Sequence, residues 1–67
     1  MMKITIGENA GIIWRLLDQE TEMPYSDLLK KSRLEEKDFY MAVGWLCREN
    51  KIYFFHKEGE LFVCIVE

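Results

Sequence analysis

Residues 34–52, LEEKDFYMAVGWLCRENKI, leave little choice of local structure. Phe39, Ala42, Val43 and Leu46 recur at spacings of three and four, which lays one apolar stripe along a helix of period 3.6. Glu36 and Asp38 fall where the first turn of a helix gains from negative charge, and Arg48 falls in the last turn. Asn50 tolerates the left-handed backbone that closes a helix. The expectation is one helix ending at a tight turn into a strand at Ile52, with its apolar stripe facing the core.

Residues 52–57 and 61–66 are rich in β-formers and are separated by Glu58-Gly59-Glu60, which predicts a hairpin. A two-residue turn at Glu58-Gly59 sets Lys57 opposite Glu60 and Phe55 opposite Phe62; a three-residue turn with a bulge alters that pairing. In the two-residue register, Ile52, Phe54, Leu61, Val63 and Ile65 share one face, and Tyr53, Phe55, Phe62, Cys64 and Val66 the other. Both faces of this ribbon are apolar.

Ahead of these elements, Ile6, Ala10, Ile13, Trp14 and Leu17 keep one side of a first helix apolar through Thr21, with Gly7 at its amino-terminal cap. Ile12 and Leu16 widen the apolar arc. Gly11 inside that helix suggests a close backbone neighbour. Residues 2–6 alternate apolar and polar, which reads as a short amino-terminal strand or a lead-in to the helix. Pro24 starts a second helix over Tyr25–Ser32, with Leu28 and Leu29 inward, and a tight connection at Ser32-Arg33-Leu34 leads to the third. Glu35 is a poor cap for that helix, where serine or threonine is expected. The three helices are expected to pack around Ile13, Trp14, Leu17, Leu28, Leu29, Leu34, Val43 and Leu46, with Ile52, Phe54 and Val63 of the hairpin closing the core.

A chain of 67 residues forms one domain, spanning 1–67, and a domain of this size buries only about 60% of its unfolded surface. Yet 49% of the residues are hydrophobic and 13% aromatic, more apolar material than so thin a core needs. The net charge of −3 works against generic affinity for phosphate backbones or anionic membranes. No apolar run approaches the ~20 residues of a membrane span and no signal-peptide pattern opens the chain, so a cytoplasmic protein with no membrane association is expected. Cys47 and Cys64 form no metal-ligand or redox spacing and read as buried reduced thiols. His56 reads as a surface histidine. With no glycine-rich phosphate loop, no nucleophile beside a base and no ligand cluster, no catalytic, cofactor or metal site is expected and the chain reads as a non-enzyme.

Three helices followed by a hairpin, with the second and third joined by a tight turn, is the order of a winged helix-turn-helix domain. The resemblance extends to residues: Gly7-Glu8-Asn9-Ala10-Gly11 with Trp14, the Leu28-Leu29-Lys30 helix, and Ala42-Val43-Gly44-Trp45-Leu46-Cys47-Arg48-Glu49-Asn50-Lys51-Ile52 resemble a family of small prokaryotic winged-helix proteins of unknown function. The sequence departs from that pattern at Arg33, Glu35 and Asn50, where glycine, a capping serine and glycine are common. The resemblance implies an α+β winged helix-turn-helix fold and offers DNA binding as a prior.

Three functions are weighed. In the first, the excess apolar surface is an interface: Tyr53, Phe55, Phe62 and Val66 on the outer hairpin face, with Trp45, Tyr40 and Met41 on the third helix, take up a second copy in a homodimer or another protein partner. Pairing along residues 61–66 is expected to satisfy edge backbone groups, while the competing account folds residues 2–6 over that face within one chain. In the second, the domain is a DNA-binding transcription regulator, with Lys30, Lys31, Arg33 and Lys57 on phosphates and Lys37, Tyr40, Gly44 and Arg48 toward the groove. Charge disfavours nucleic acid: in residues 35–49 four carboxylates, Glu35, Glu36, Asp38 and Glu49, stand against Lys37 and Arg48. A third use, the aromatic ribbon as a stacking platform for single-stranded RNA, ranks last because it lacks surrounding Lys and Arg.

Overall fold

The computed structural model describes the backbone of residues 2–66 and the side chains of residues 6–66. Its elements run α1 (Met2–Glu20), β1 (Glu22–Pro24), α2 (Tyr25–Ser32), α3 (Glu36–Arg48), β2 (Ile52–Lys57) and β3 (Glu60–Ile65). The three strands form one antiparallel sheet in the order β1-β3-β2. Three helices and a hairpin wing are therefore present as the sequence predicts.

The additional short strand lies elsewhere than at residues 2–6, which are the first residues of α1. Ile6 explains the difference. It stands four residues before Ala10 and seven before Ile13, on the helical face that packs into the core, so the helix continues back through it. The competing account in which a strand of residues 2–6 covers the outer hairpin face falls with it. The strand that does form, Glu22–Pro24, pairs with β3 through Glu22↔Cys64, Met23↔Val63 and Pro24↔Phe62. β3 is thus the central strand, and the edge expected along residues 61–66 is already taken.

Each helix ends on a residue with positive φ that is not glycine: Thr21 (66°), Arg33 (60°) and Asn50 (59°). After α3, the Lys51 amide donates to the Leu46 carbonyl at 2.9 Å and the Asn50 amide to the Cys47 carbonyl at 3.0 Å. This pair of bonds is the Schellman arrangement, and it aims the chain directly into β2. After α2, the Arg33 amide reaches the Lys30 carbonyl at 3.2 Å, but a side chain stands in for the second bond. The buried Ser32 hydroxyl donates to the Leu29 carbonyl at 2.8 Å and accepts the Leu34 amide at 3.2 Å. One hydroxyl thereby satisfies two part-buried backbone groups at the turn between α2 and α3. Glu35 occupies the N-cap of α3 without a side-chain capping bond, as its chemistry predicts.

The core gathers Ala10, Ile13 and Leu17 of α1, Met23, Leu28, the Phe39, Ala42, Val43 and Leu46 stripe of α3, and Ile52, Val63 and Ile65 of the sheet. Trp14, Leu29 and Leu34, expected at its centre, are partly buried against it. Phe54, also expected to close the core, is 38% exposed. Gly11 has no close backbone neighbour: a Cβ placed there meets only the Arg15 guanidinium, at 3.5 Å.

Candidate interaction surface

The hairpin turns at Glu58 (φ 53°) and Gly59 (φ 79°), both left-handed, as in the two-residue turns that match strand twist. This fixes the register as Lys57↔Glu60, Phe55↔Phe62, Phe54↔Val63, Tyr53↔Cys64 and Ile52↔Ile65, so the bulged alternative does not occur. Ile52, Val63 and Ile65 are buried on the inner face. On the outer face, Tyr53 and Phe55 lie with ring centroids 6.2 Å apart, and Phe55 stacks on Phe62 at 5.6 Å. Lys57 places its Nζ 5.3 Å from the Phe62 centroid and 3.3 Å from a carboxylate oxygen of Glu22 across the sheet. Phe55 and Phe62 are half-buried by one another and by Lys57, whereas Tyr53 (49%) and Val66 (45%) are open to solvent. The structure thus unites Tyr53, Phe55 and Phe62 in one aromatic row, with Val66 at its far end beside a hollow also lined by Thr21, Cys64 and Ile65.

Of the exposed apolar residues of α3, Tyr40 and Trp45 do not share one patch. Residues 40 and 45 are about 140° apart around a helix, and each joins a different neighbour. Tyr40 stacks near Tyr25 (6.3 Å, 16° between planes) and packs on Phe39 at 6.2 Å. Tyr25 also meets Phe39 edge-on at 5.3 Å and Phe54 at 6.1 Å. Tyr25, absent from the sequence-based candidates, is therefore the hub that brings Tyr40 and Phe54 together. Its position three residues before inward-facing Leu28 was the available signal. Burial, and then the neighbouring Tyr40 hydroxyl, push the Tyr25 phenol up to about 12. Trp45 instead lines a groove of about 360 Å³ between α1 and α3, together with Gly7, Gly11, Trp14, Arg15 and Lys51. Met41 is exposed on α3.

The basic candidates are all at the surface. Lys30, Lys31 and Arg33 cluster at the end of α2, and Lys37, Gly44 and Arg48 lie on the exposed side of α3. Two of the cations already have partners: Lys31 sits 3.4 Å from Glu20, and Lys57 is held by Glu22. Cys47 and Cys64 are free thiols but only half-buried, short of the full burial expected for them. Burial pushes the Cys47 thiol up, which lowers its reactivity. His56 is exposed on β2. Among the described residues no three His, Cys, Asp or Glu side chains group closely enough to hold a metal, and no helix is long and apolar enough to cross a membrane.

This geometry agrees with what known proteins resemble. The model of the family described as "Winged helix-turn-helix domain (DUF2582)" matches residues 1–65. An uncharacterised protein of Methanocaldococcus jannaschii, MJ1608, is 38% identical over 50 residues, which span 72% of this chain and 71% of that protein. The solution NMR structure of protein BT2368 from Bacteroides thetaiotaomicron superposes with a TM-score of 0.81 at 34% identity, covering 97% of this chain and 79% of the other.

Proposed function

This chain belongs to the winged helix-turn-helix domain family DUF2582, and from that premise we propose that it is a non-enzymatic interaction or regulatory module that self-associates through the apolar surface of its hairpin. The observation that carries the reading is the sheet with two apolar faces. The inner face closes the core through Ile52, Val63 and Ile65; the outer one presents Tyr53, Phe55 and Phe62 as a continuous aromatic row. Aromatic residues dominate the energetic centres of interfaces, and a twofold dimer is the simplest assembly that covers the same patch on both partners. Homodimerisation also suits a regulator, because it duplicates and spaces whatever each domain contacts.

Light scattering of the purified protein from low to high micromolar concentration tests this. A dimer is expected, and Phe55→Glu is expected to give a folded monomer, because the introduced carboxylate stays partly solvated in the single chain and would be fully desolvated only in the assembled state. Protein that stays monomeric throughout the range removes the reading.

The second reading, a DNA-binding regulator, draws on the exposed cations Lys30 and Arg33 at the end of α2 and Arg48 on α3. It ranks below the first because α3 begins with Glu35, Glu36 and Asp38. These carboxylates would approach phosphates or base edges from the reading helix itself.

A further inference from the structure

The backbone groups on the free side of β2 can be identified one by one. The Val66 amide donates to the Lys51 carbonyl at 2.9 Å, which makes Lys51 and Val66 a hydrogen-bonded pair of the β2–β3 ladder. Such pairs alternate along antiparallel strands, so Tyr53, Phe55 and Lys57 also turn their amides and carbonyls toward β3. Ile52, Phe54 and His56 turn theirs away from the sheet. The opposite edge is blunted. There the Ile65 amide donates to the Thr21 carbonyl at 2.9 Å, so Met23 faces β3 while Glu22 and Pro24 face outward. Proline has no amide to offer, and that strand is only three residues long. β2 has six residues and no proline, and its register with β3 runs unbroken without a bulge. An edge of this kind is a template for another strand.

Phe54 supplies a second observation. Its side chain lies on the same face as Ile52, which is 3% exposed, and opposite the fully buried Val63, yet Phe54 itself is 38% exposed. A core-facing aromatic stands open because the sheet stops beside it.

We infer that β2 pairs antiparallel with β2 of a second copy across a twofold axis at Phe54, extending the two sheets into one. This rests on the self-association reading and moves its contact from the outer face to the β2 edge, where the aromatic rows of the two copies continue side by side. A twofold axis normal to the sheet keeps inner faces with inner faces, so Phe54 meets Ile52, Phe54 or His56 of the other copy, never Tyr53 or Phe55. With the axis at Phe54, Ile52 faces His56 of the second copy and Tyr53 faces Phe55. Every outward amide and carbonyl of Ile52, Phe54 and His56 then gains a partner. Moving the axis to Tyr53 strands His56 opposite the helix-closing Asn50; moving it to Phe55 strands Ile52 opposite Glu58 in the turn. On the outer face the aromatic row runs from Phe62 through Phe55 to Tyr53 of the second copy. The opposing cost is Lys51 facing Lys57 of the second copy, both exposed, with Lys57 already partnered by Glu22.

Three measurements test it. By NMR, the Phe54 and His56 amides of the unmodified protein should slow in hydrogen exchange by at least tenfold between dilute and concentrated solution. His56→Pro removes an outward amide and none of the β2–β3 bonds, so it should leave a folded chain that light scattering finds monomeric. Phe54→Cys, in a chain carrying Cys47→Ala and Cys64→Val, should cross-link to a disulfide dimer under mild oxidation, because directly opposed residues of a hydrogen-bonded pair are about 5.5 Å apart at Cα. Phe62→Cys in the same background should not. A wild-type dimer whose Phe54 and His56 amides exchange freely, or that persists in His56→Pro, or that cross-links through Phe62→Cys in place of Phe54→Cys, overturns the edge pairing and leaves a face-to-face dimer. A wild-type monomer at high micromolar concentration overturns the edge pairing and the self-association reading together.

Discussion

Tyr25 and Tyr40 lie nearly parallel, ring centroids 6.3 Å apart, where the start of α2 meets the first half of α3. The arrangement makes the Tyr25 phenol harder to ionise: burial comes first, then the Tyr40 hydroxyl beside it, and the result is a rise from 10.0 to about 12. Below pH 10 both folded and unfolded chains keep this proton, so its contribution to stability is complete. As pH rises past 10 the unfolded chain loses the proton first, and stability falls until the folded form also ionises near 12. Denaturant midpoints measured across that window should decline. Tyr25→Phe should flatten the decline, and an unchanged slope in that variant would remove Tyr25 as its source.

The left-handed residues that close the elements give a second set of outcomes. A non-glycine residue in this conformation costs about 1–2 kcal/mol, and most for a β-branched one such as Thr21. Arg33→Gly and Thr21→Gly should each raise stability by about 1 kcal/mol, less whatever glycine costs in unfolded-state entropy. Glu58→Asn should do the same at the hairpin turn, where both central residues have positive φ. Ser32→Ala should act in the other direction by about 1–3 kcal/mol, because the Leu29 carbonyl and Leu34 amide lose their shared partner. Thermal melts of the four variants distinguish these signs.

The same turns mark how much could be read from the sequence. Asn50 announced the end of α3, and Glu58-Gly59 offered the observed hairpin register beside a bulged alternative, because each is a local signal carried by the residue that obeys it. Glu22–Pro24 carries no such signal. Three residues show no period, and they become a strand only because α1 ends at Thr21 beside β3. Phe54 failed for a related reason: alternation tells which face a residue is on, but not whether another element reaches far enough to cover it. For the candidate surface, the outer aromatic row followed directly from alternation. The separation of Tyr40 from Trp45, and the meeting of Tyr40 with Tyr25 and Phe54, needed the packing of α2 against α3.

Leu46 tests the core itself. It is 3% exposed in the stripe that α3 turns toward α1 and the sheet, and Leu46→Ala should cost about 2–5 kcal/mol. Its neighbour Trp45 is half exposed in the groove beside Trp14, so Trp45→Ala should cost clearly less. Urea titrations of the two variants compare them directly. A loss near zero for Leu46→Ala would place the core elsewhere than the stripe.

The last prediction concerns duplex DNA: the isolated domain should show no tight, sequence-specific binding. In winged helices the third helix enters the major groove, so its own charge is what the duplex meets. Residues 35–38 present three carboxylates and one lysine at the leading end of that helix, and Arg48 lies at its far end. Of the cations that could contact phosphates, Lys31 and Lys57 already face Glu20 and Glu22. These exposed pairs are weak and would yield to a strong phosphate contact, but each exchange then gains less than a free lysine would. What remains is Lys30, Arg33, Lys37 and Arg48, few contacts for a chain of net charge −3. Titration against mixed duplexes at low salt should therefore give weak binding that disappears as salt is raised. Nanomolar affinity for one sequence, weakened by Arg48→Ala, would reverse the ranking of the two functional readings.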